Sequence, residues 1–333
     1  MKKILVIQTA FIGDVVLATA VVEKLAQYFP GGQIDFLVRK GNESLLTNNP
    51  HIGNVLVWNK KEKKTANLFK VIGALRKTKY DIVINLQRFF STGFITAFSA
   101  AKTTIGFDKN PLSFLFSKKV PHVISTIAPY KHEVERNNEL IAAFTDSALS
   151  KPRLYPSAND IAAVQQYHQQ IFVTMTPSSV WFTKKYPFEK WIELIHAFPK
   201  TYTIYLLGGK DNIEECEAIR SASNNSNVMV LAGQLSFLQS AAVMKMATMN
   251  YVNDSAPLHF ASAVNAPVTA IFCSTVPAFG FTPLSDKSFI VETKEALPCR
   301  PCGLHGKKEC PLQHFKCGFG ITTEQLLQTL PAY

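Results

Sequence analysis

Three short stretches of this chain carry residue types able to do group-transfer chemistry. The first follows an apolar run, Ile4 to Ile7, and reads Gln8-Thr9-Ala10-Phe11-Ile12-Gly13-Asp14-Val15-Val16-Leu17 before a helical pattern that lasts to about Tyr28. A turn that cradles phosphate leaves the next helix N-terminus open to an anion. Asp14 takes that place, so the turn is a poor phosphate seat and suits a carboxylate base held toward a crevice. The plain alternative is a helix cap, contributing about 1 kcal/mol and nothing more. The second stretch runs from Thr176 to Trp191, with Ser178 and Ser179 at a strand exit and Lys184 in the block Lys184-Lys185-Tyr186-Pro187-Phe188-Glu189-Lys190-Trp191. Hydroxyl donors and an ammonium suit a pyrophosphate; the bland reading is a polar turn with exposed lysines. The third is Asn253-Asp254-Ser255-Ala256-Pro257-Leu258-His259. A strand, a short polar turn, small residues and a helix form an anion-binding geometry, or simply a capped helix start with His259 packed inside.

Two weaker signals accompany these. Gly208-Gly209-Lys210-Asp211 is another strand exit, where Asp211 could bind ribose hydroxyls. Cys299, Cys302, Cys310 and Cys317, with His305 and His314 nearby, have a zinc-like spacing. A structural metal, free thiols and disulfides all remain open for that block; Cys216 and Cys273 read as ordinary helix and strand residues. A G-x-G-x-x-G after the first strand, a G-x-x-x-x-G-K-[ST] loop and a G-x-S-x-G elbow are all missing, which removes the main support for a dinucleotide oxidoreductase, a P-loop enzyme or an α/β-hydrolase.

The elements that must position these residues alternate. Strands are expected at about Lys3–Ile7, Ile34–Val38, Asn54–Trp58 and Asp81–Asn85, then at Ile171–Met175, Thr203–Leu207, Asn227–Leu231, Met249–Val252 and Val268–Phe272, with helical patterns between. A linker, Ser150-Lys151-Pro152-Arg153-Leu154-Tyr155-Pro156, separates the two series. Repeated β–α alternation implies parallel sheets covered by helices. The expected fold is therefore α/β, with two doubly wound, Rossmann-like domains, 1–155 and 156–333, facing each other across a cleft. Ligands in such sheets sit outside the carboxyl ends of the strands, where all three stretches fall.

With 333 residues, 47% hydrophobic and 18% charged, the chain is long enough for two cores. Its net charge of +11 is lopsided: residues 1–160 hold 22 Lys and Arg against 12 Asp and Glu, whereas residues 161–333 hold 13 against 12. That excess either aids solubility or attracts an anionic partner: a membrane surface, a phosphorylated substrate or nucleic acid. Nucleic acid is not expected, because no recognition motif accompanies the charge. The opening Met1-Lys2-Lys3 leads into an ordinary strand and no run approaches ~20 apolar residues, so a cytoplasmic protein without leader or membrane span is expected.

Taken together, Ile12-Gly13-Asp14-Val15-Val16-Leu17, the Lys184–Trp191 block and Asn253–His259 with its alanine-rich helix resemble the family 9 glycosyltransferases, the heptosyltransferases of the lipopolysaccharide inner core. The resemblance spans nearly the whole chain. It implies a GT-B fold with the acceptor on the N-terminal domain and the nucleotide sugar, ADP-heptose, on the C-terminal one, the last helix packing back on the N-terminal domain. It further implies an inverting, metal-independent reaction needing no cofactor, with Asp14 as base and Lys184 neutralising the leaving diphosphate. Ser178, Ser179, Asp254, Ser255, Ala256 and His259 fall in donor positions, with Asp211 added for the ribose. Thr9 is counted with them; the family often has arginine where Gln8 or Thr9 stands, and glycine is usual where Ala256 stands. The implied acceptor is an anionic, lipid-linked glycan, and the implied location is peripheral, on the cytoplasmic face of the inner membrane. A nucleotide-sugar epimerase or hydrolase on the same fold, or a non-catalytic glycan-binding relative, is the alternative; product formed without acceptor marks the former, and the presence of both Asp14 and Lys184 argues against the latter.

Overall fold

A computed structural model describes residues 1–126 and 128–331. The chain divides into two compact units: Met1–Ile124 with Lys131–Tyr155, and the described residues of 125–130 and 156–331.

The first unit contains β1 (Lys3–Ile7), β2 (Gln33–Arg39), β3 (Val55–Trp58), β4 (Ile82–Asn85), β5 (Thr103–Phe107) and β6 (Lys118–Val120). Its helices are α1 (Ile12–Tyr28), α2 (Lys64–Thr78), α3 (Phe90–Ala97) and α4 (Glu133–Glu139). The sheet order is β3-β2-β1-β4-β5-β6, and every pairing is parallel. Parallel strands covered on both faces are apolar throughout rather than alternating. Ile4 to Ile7 and Ile82 to Ile84 show this, every residue buried. Leu5, Ile7, Leu37, Trp58, Ile72, Leu75, Tyr80, Val83 and Ile95 pack as one core, each large apolar side chain contributing about 1.5–3 kcal/mol on burial.

The second unit repeats the plan with β7 (Phe172–Thr176), β8 (Thr203–Leu206), β9 (Val228–Val230), β10 (Met249–Asn253), β11 (Val268–Phe272) and β12 (Ser288–Glu292). Helices α5 (Ala158–Val164), α6 (Phe188–Ala197), α7 (Ile213–Ser223), α8 (Phe237–Met246), α9 (Ala256–Ala263), α10 (Lys316–Phe319) and α11 (Thr323–Leu327) accompany them. The order β12-β11-β10-β7-β8-β9 is again entirely parallel. The α/β class and the two doubly wound parallel sheets are those the alternation implies. All nine expected strands exist, within a residue or two of their expected bounds. Strands β5, β6 and β12 are additional. β6 is an edge strand of two exposed lysines and a valine, and β12 is the opposite edge of its own sheet, with exposed Phe289 and Ile290. A half-wet edge strand lacks the continuous apolar run that marks a central one.

The chain end is built into the second unit's core. Helix α11 packs on α6 within its own unit, with Leu326 and Ile321 in the same core as Trp191 and Tyr251. The Tyr186 hydroxyl donates to the Ile321 carbonyl at 3.1 Å. No described helix is long and apolar enough to cross a membrane.

Candidate active site

In each unit the strand order reverses direction once, between β1 and β4 in the first and between β7 and β10 in the second. The loops on either side of such a reversal part and leave a crevice at the carboxyl ends of the strands. Asp14 follows β1; Ser178 and Lys184 follow β7; Asp254 follows β10.

In the first unit, α1 begins at Ile12, so Asp14 is its third residue and not the cap. The carboxylate reaches back one turn, and Oδ2 accepts the N–H of Phe11 at 3.1 Å. An acid in the first turn is also favoured by the helix dipole. Half-buried at the β1 exit, Asp14 is thus held by the helix it starts. Arg39, ending the neighbouring strand β2, lays its guanidinium over the exposed Phe11 ring, 5.1 Å from its centre. Burial lowers the Arg39 pKa, and the nearby Asp14 carboxylate partly counters this. Lys60 completes the cationic side. Its Nζ donates to the Thr9 carbonyl at 2.8 Å and lies over the Trp58 ring, and burial with the charges of Arg39 and Lys64 pushes its pKa down to about 8.

Thr9 faces inward at the exit of β1. It is buried, and its hydroxyl donates to Gln87 Oε1 at 2.6 Å, while its N–H donates to the same oxygen at 3.1 Å. This stitches the exit of β1 to the exit of β4 and uses the hydroxyl proton internally. Below them, α4 packs on α1 and carries a buried ion pair, with Arg136 Nε donating to Glu133 Oε2 at 2.8 Å. Burial raises the Glu133 pKa; Arg136 pulls it back, and Asp14 adds to the rise. Arg39 and Lys60 were visible in the sequence as basic pairs, and the strand-end rule alone singles out Arg39. Gln87, Glu133 and Arg136 gave no signal.

In the second unit, Lys184 and Asp254 form an ion pair, Nζ to Oδ2 at 2.8 Å, with both side chains largely buried. The same carboxylate oxygen accepts the Thr275 hydroxyl at 2.6 Å. Asp254 is thus paired with Lys184 and held by Thr275 at the exit of β10. Asn253, fully buried, holds the two loops in register: Nδ2 donates to the Pro177 carbonyl at 2.7 Å and Oδ1 accepts the Tyr186 N–H at 2.9 Å. Ser255 is the N-cap of α9, yet its side chain caps no helix N–H, and Pro257 in the first turn has none to offer. The end of α9 thus keeps its positive character. Ala256 is its first residue and His259, one turn on, is buried beside Phe281.

The remaining donor candidates are less concentrated. Ser178 donates to Glu215 Oε2 at 2.7 Å, and Lys185 binds the same carboxylate at 2.9 Å, so both turn toward α7. Ser179 is half-buried beside Ser178, and Asp211 is exposed on the turn after β8, making no side-chain hydrogen bond or ion pair among the described residues.

The cysteine-bearing segment turns out to support Lys184. Thr183 N–H donates to the Lys307 carbonyl at 3.1 Å, and Lys307 N–H donates to Thr183 Oγ1 at 2.8 Å. Between them Gly306 has φ +77°, and a Cβ there would stand 3.0 Å from both Lys184 Cγ and Thr183 Oγ1; only glycine meets both demands. Arg300 pins the segment by donating to the carbonyls of Phe272, Cys273 and Thr275 and to the Glu292 carboxylate. Arg300→Ala is expected to cost about 3 kcal/mol, because three carbonyls and a carboxylate lose a charged donor; urea unfolding measures it. All six cysteines are free thiols, so the structure has none of the disulfides left open above. Among the described residues no group of three or more His, Cys, Asp or Glu side chains is placed to hold a metal ion.

The sequence pattern defining glycosyltransferase family 9 (heptosyltransferase) matches residues 68–314, well over half of the chain. The protein belongs to that family. As a member it is a glycosyltransferase, with the GT-B fold of its solved relatives. Lipopolysaccharide heptosyltransferase 3 of Escherichia coli is 29% identical over 287 residues, covering 80% of this chain and 82% of that one. The structure of E. coli ADP-heptose lipopolysaccharide heptosyltransferase II superposes with a TM-score of 0.81 at 20% identity, over 99% of this chain and 97% of the other. E. coli heptosyltransferase WaaC, solved with ADP, gives 0.74 at 18% identity, over 98% of each chain.

Proposed function

We propose that this family 9 glycosyltransferase moves a heptose from ADP-heptose to an anionic, lipid-linked inner-core lipopolysaccharide acceptor, inverting the anomeric centre in one displacement. The observation that carries the reading is the Lys184–Asp254–Thr275 group beside the uncapped end of α9. It supplies a fixed cation and backbone donors where a departing diphosphate gathers charge. In this reading residues 156–333 bind the nucleotide sugar, and residues 1–155 bind the acceptor with Arg39 and Lys60 beside it. Asp14 takes the proton of the acceptor hydroxyl as its oxygen bonds to the anomeric carbon, and the bond to the diphosphate breaks with its electrons leaving on ADP. Lys184 and α9 meet that charge, so the reaction on this reading asks for no metal. The family match begins after Asp14, so the role of that residue rests on its place at the β1 exit.

The test is transfer by the purified chain from ADP-heptose to a panel of core acceptors, followed by mass spectrometry and ADP release. ADP release that depends on acceptor is expected. Release without acceptor would make the enzyme a hydrolase or epimerase, and no turnover with any acceptor would remove the heptose reading.

A pH dependence follows from Lys60. Its pKa near 8 lies below the ordinary lysine value, so its charge is present below pH 8 and lost above it. Between pH 7 and 9, kcat/KM for an anionic acceptor is expected to fall by about 3- to 4-fold, as most of one charge contact worth roughly 1 kcal/mol disappears. Lys60→Arg should hold the activity up to higher pH, and an identical pH profile in that variant would refute the assignment.

A further inference from the structure

Two helices of the first unit carry an aromatic ridge whose central ring, Phe94, packs against the core while its outer rings serve neither the core nor the candidate site. Phe90, Phe94 and Phe98 are spaced four residues apart along α3 and its C-cap, so they form one row on one face. Adjacent rings touch, with centroids 6.2 Å apart for Phe90 and Phe94 and 4.5 Å for Phe94 and Phe98. Phe69 of α2 meets Phe94 edge-on at 6.1 Å. Phe69, Phe90 and Phe98 are nonetheless 58%, 59% and 45% exposed. Scattered exposed rings are ordinary, but a contiguous row of them marks a docking surface.

The charge around the ridge identifies what docks. Residues 60–102, which contain α2, β4 and α3, hold ten lysines and arginines against two acids, in a chain whose net charge is +11. Lys64, Lys70, Arg76 and Lys77 of α2 are all exposed. Of the two acids, Asp81 is already paired with Lys102. An apolar ridge within a basic field matches the headgroup zone of an anionic bilayer, where rings enter the acyl boundary and cations meet lipid phosphates. Single-stranded nucleic acid fits less well, because no recognition motif accompanies the charge.

We propose that the α2–α3 face of the first unit docks on the surface of an anionic phospholipid bilayer. The inference rests on the reading above for its purpose, since a lipid-linked acceptor is reached only at a membrane. Two weak signals, one apolar and one electrostatic, give reversible attachment.

The test is co-sedimentation of the full chain with phosphatidylcholine vesicles containing or lacking phosphatidylglycerol. Binding to the anionic vesicles is expected, with little to the neutral ones. Phe90→Ser with Phe98→Ser, and separately Lys70→Glu with Lys77→Glu, should each weaken it by about tenfold or more, leaving the melting temperature and transfer to a soluble, lipid-free acceptor unchanged. Equal binding to both vesicle types, or binding indifferent to these substitutions, overturns the proposal. So does light scattering that shows a dimer dissociated by the Phe90→Ser/Phe98→Ser pair, since a second copy would then cover the face. Sedimentation needs neither donor nor acceptor, so failure of the heptose assay and failure of the docking face are separate results.

Discussion

Asp14→Asn is expected to fold normally, bind ADP as the parent does, and transfer sugar ~10²- to 10⁴-fold more slowly. The carboxamide oxygen can still accept the Phe11 N–H that Asp14 Oδ2 accepts now, so the first turn of α1 keeps its closure. What is lost is a group able to take a proton at neutral pH. Asp14→Ala serves as the contrast: it removes base and closure together, adding about 1 kcal/mol of destabilisation. The two variants should therefore match in turnover and differ in thermal stability. Near-normal turnover of Asp14→Asn in a steady-state assay would end the base assignment.

Lys184→Ala is the second large effect. Loss of one preorganised donor to developing charge costs ~10²- to 10³-fold in kcat, and ADP affinity should weaken by about tenfold as a charged contact is lost. Stability should fall as well, because Asp254 would remain largely buried with only the Thr275 hydroxyl against its carboxylate. Pairing Lys184→Ala with Asp254→Asn separates the two consequences. The double variant should recover stability, since no buried carboxylate is left unpaired, and should stay inactive, since the cation is still missing. Unchanged ADP affinity in Lys184→Ala, measured by calorimetric titration, would remove its phosphate role.

Much of this arrangement was legible in the linear order. Central parallel strands are buried on both faces, so Ile4–Ile7 and Val268–Phe272 announce themselves as apolar runs. The strand-end rule then places Asp14, Lys184 and Asp254 at exits without reference to any contact. Edge strands β6 and β12 were not legible, because two residues of each face water and the buried apolar stretch that remains is too short to announce a strand.

The chemistry types were set by the sequence: a lone carboxylate after β1, hydroxyls and a lysine after β7, an Asp-Ser-Ala turn after β10. Which of these groups pair with one another was decided by tertiary structure alone. Asp254 and Lys184 are far apart in sequence yet share an ion pair, because β7 and β10 lie side by side where the strand order reverses. Thr9 and Ser178 were eligible by type, but Gln87 and Glu215 take their hydroxyl protons. The Cys299–Cys317 segment supports the lysine through backbone and arginine contacts rather than through its thiols. A single residue's chemistry is a property of its side chain, and composition reveals it. Its role depends on which partner has already satisfied that side chain, and that is decided only when distant strands meet.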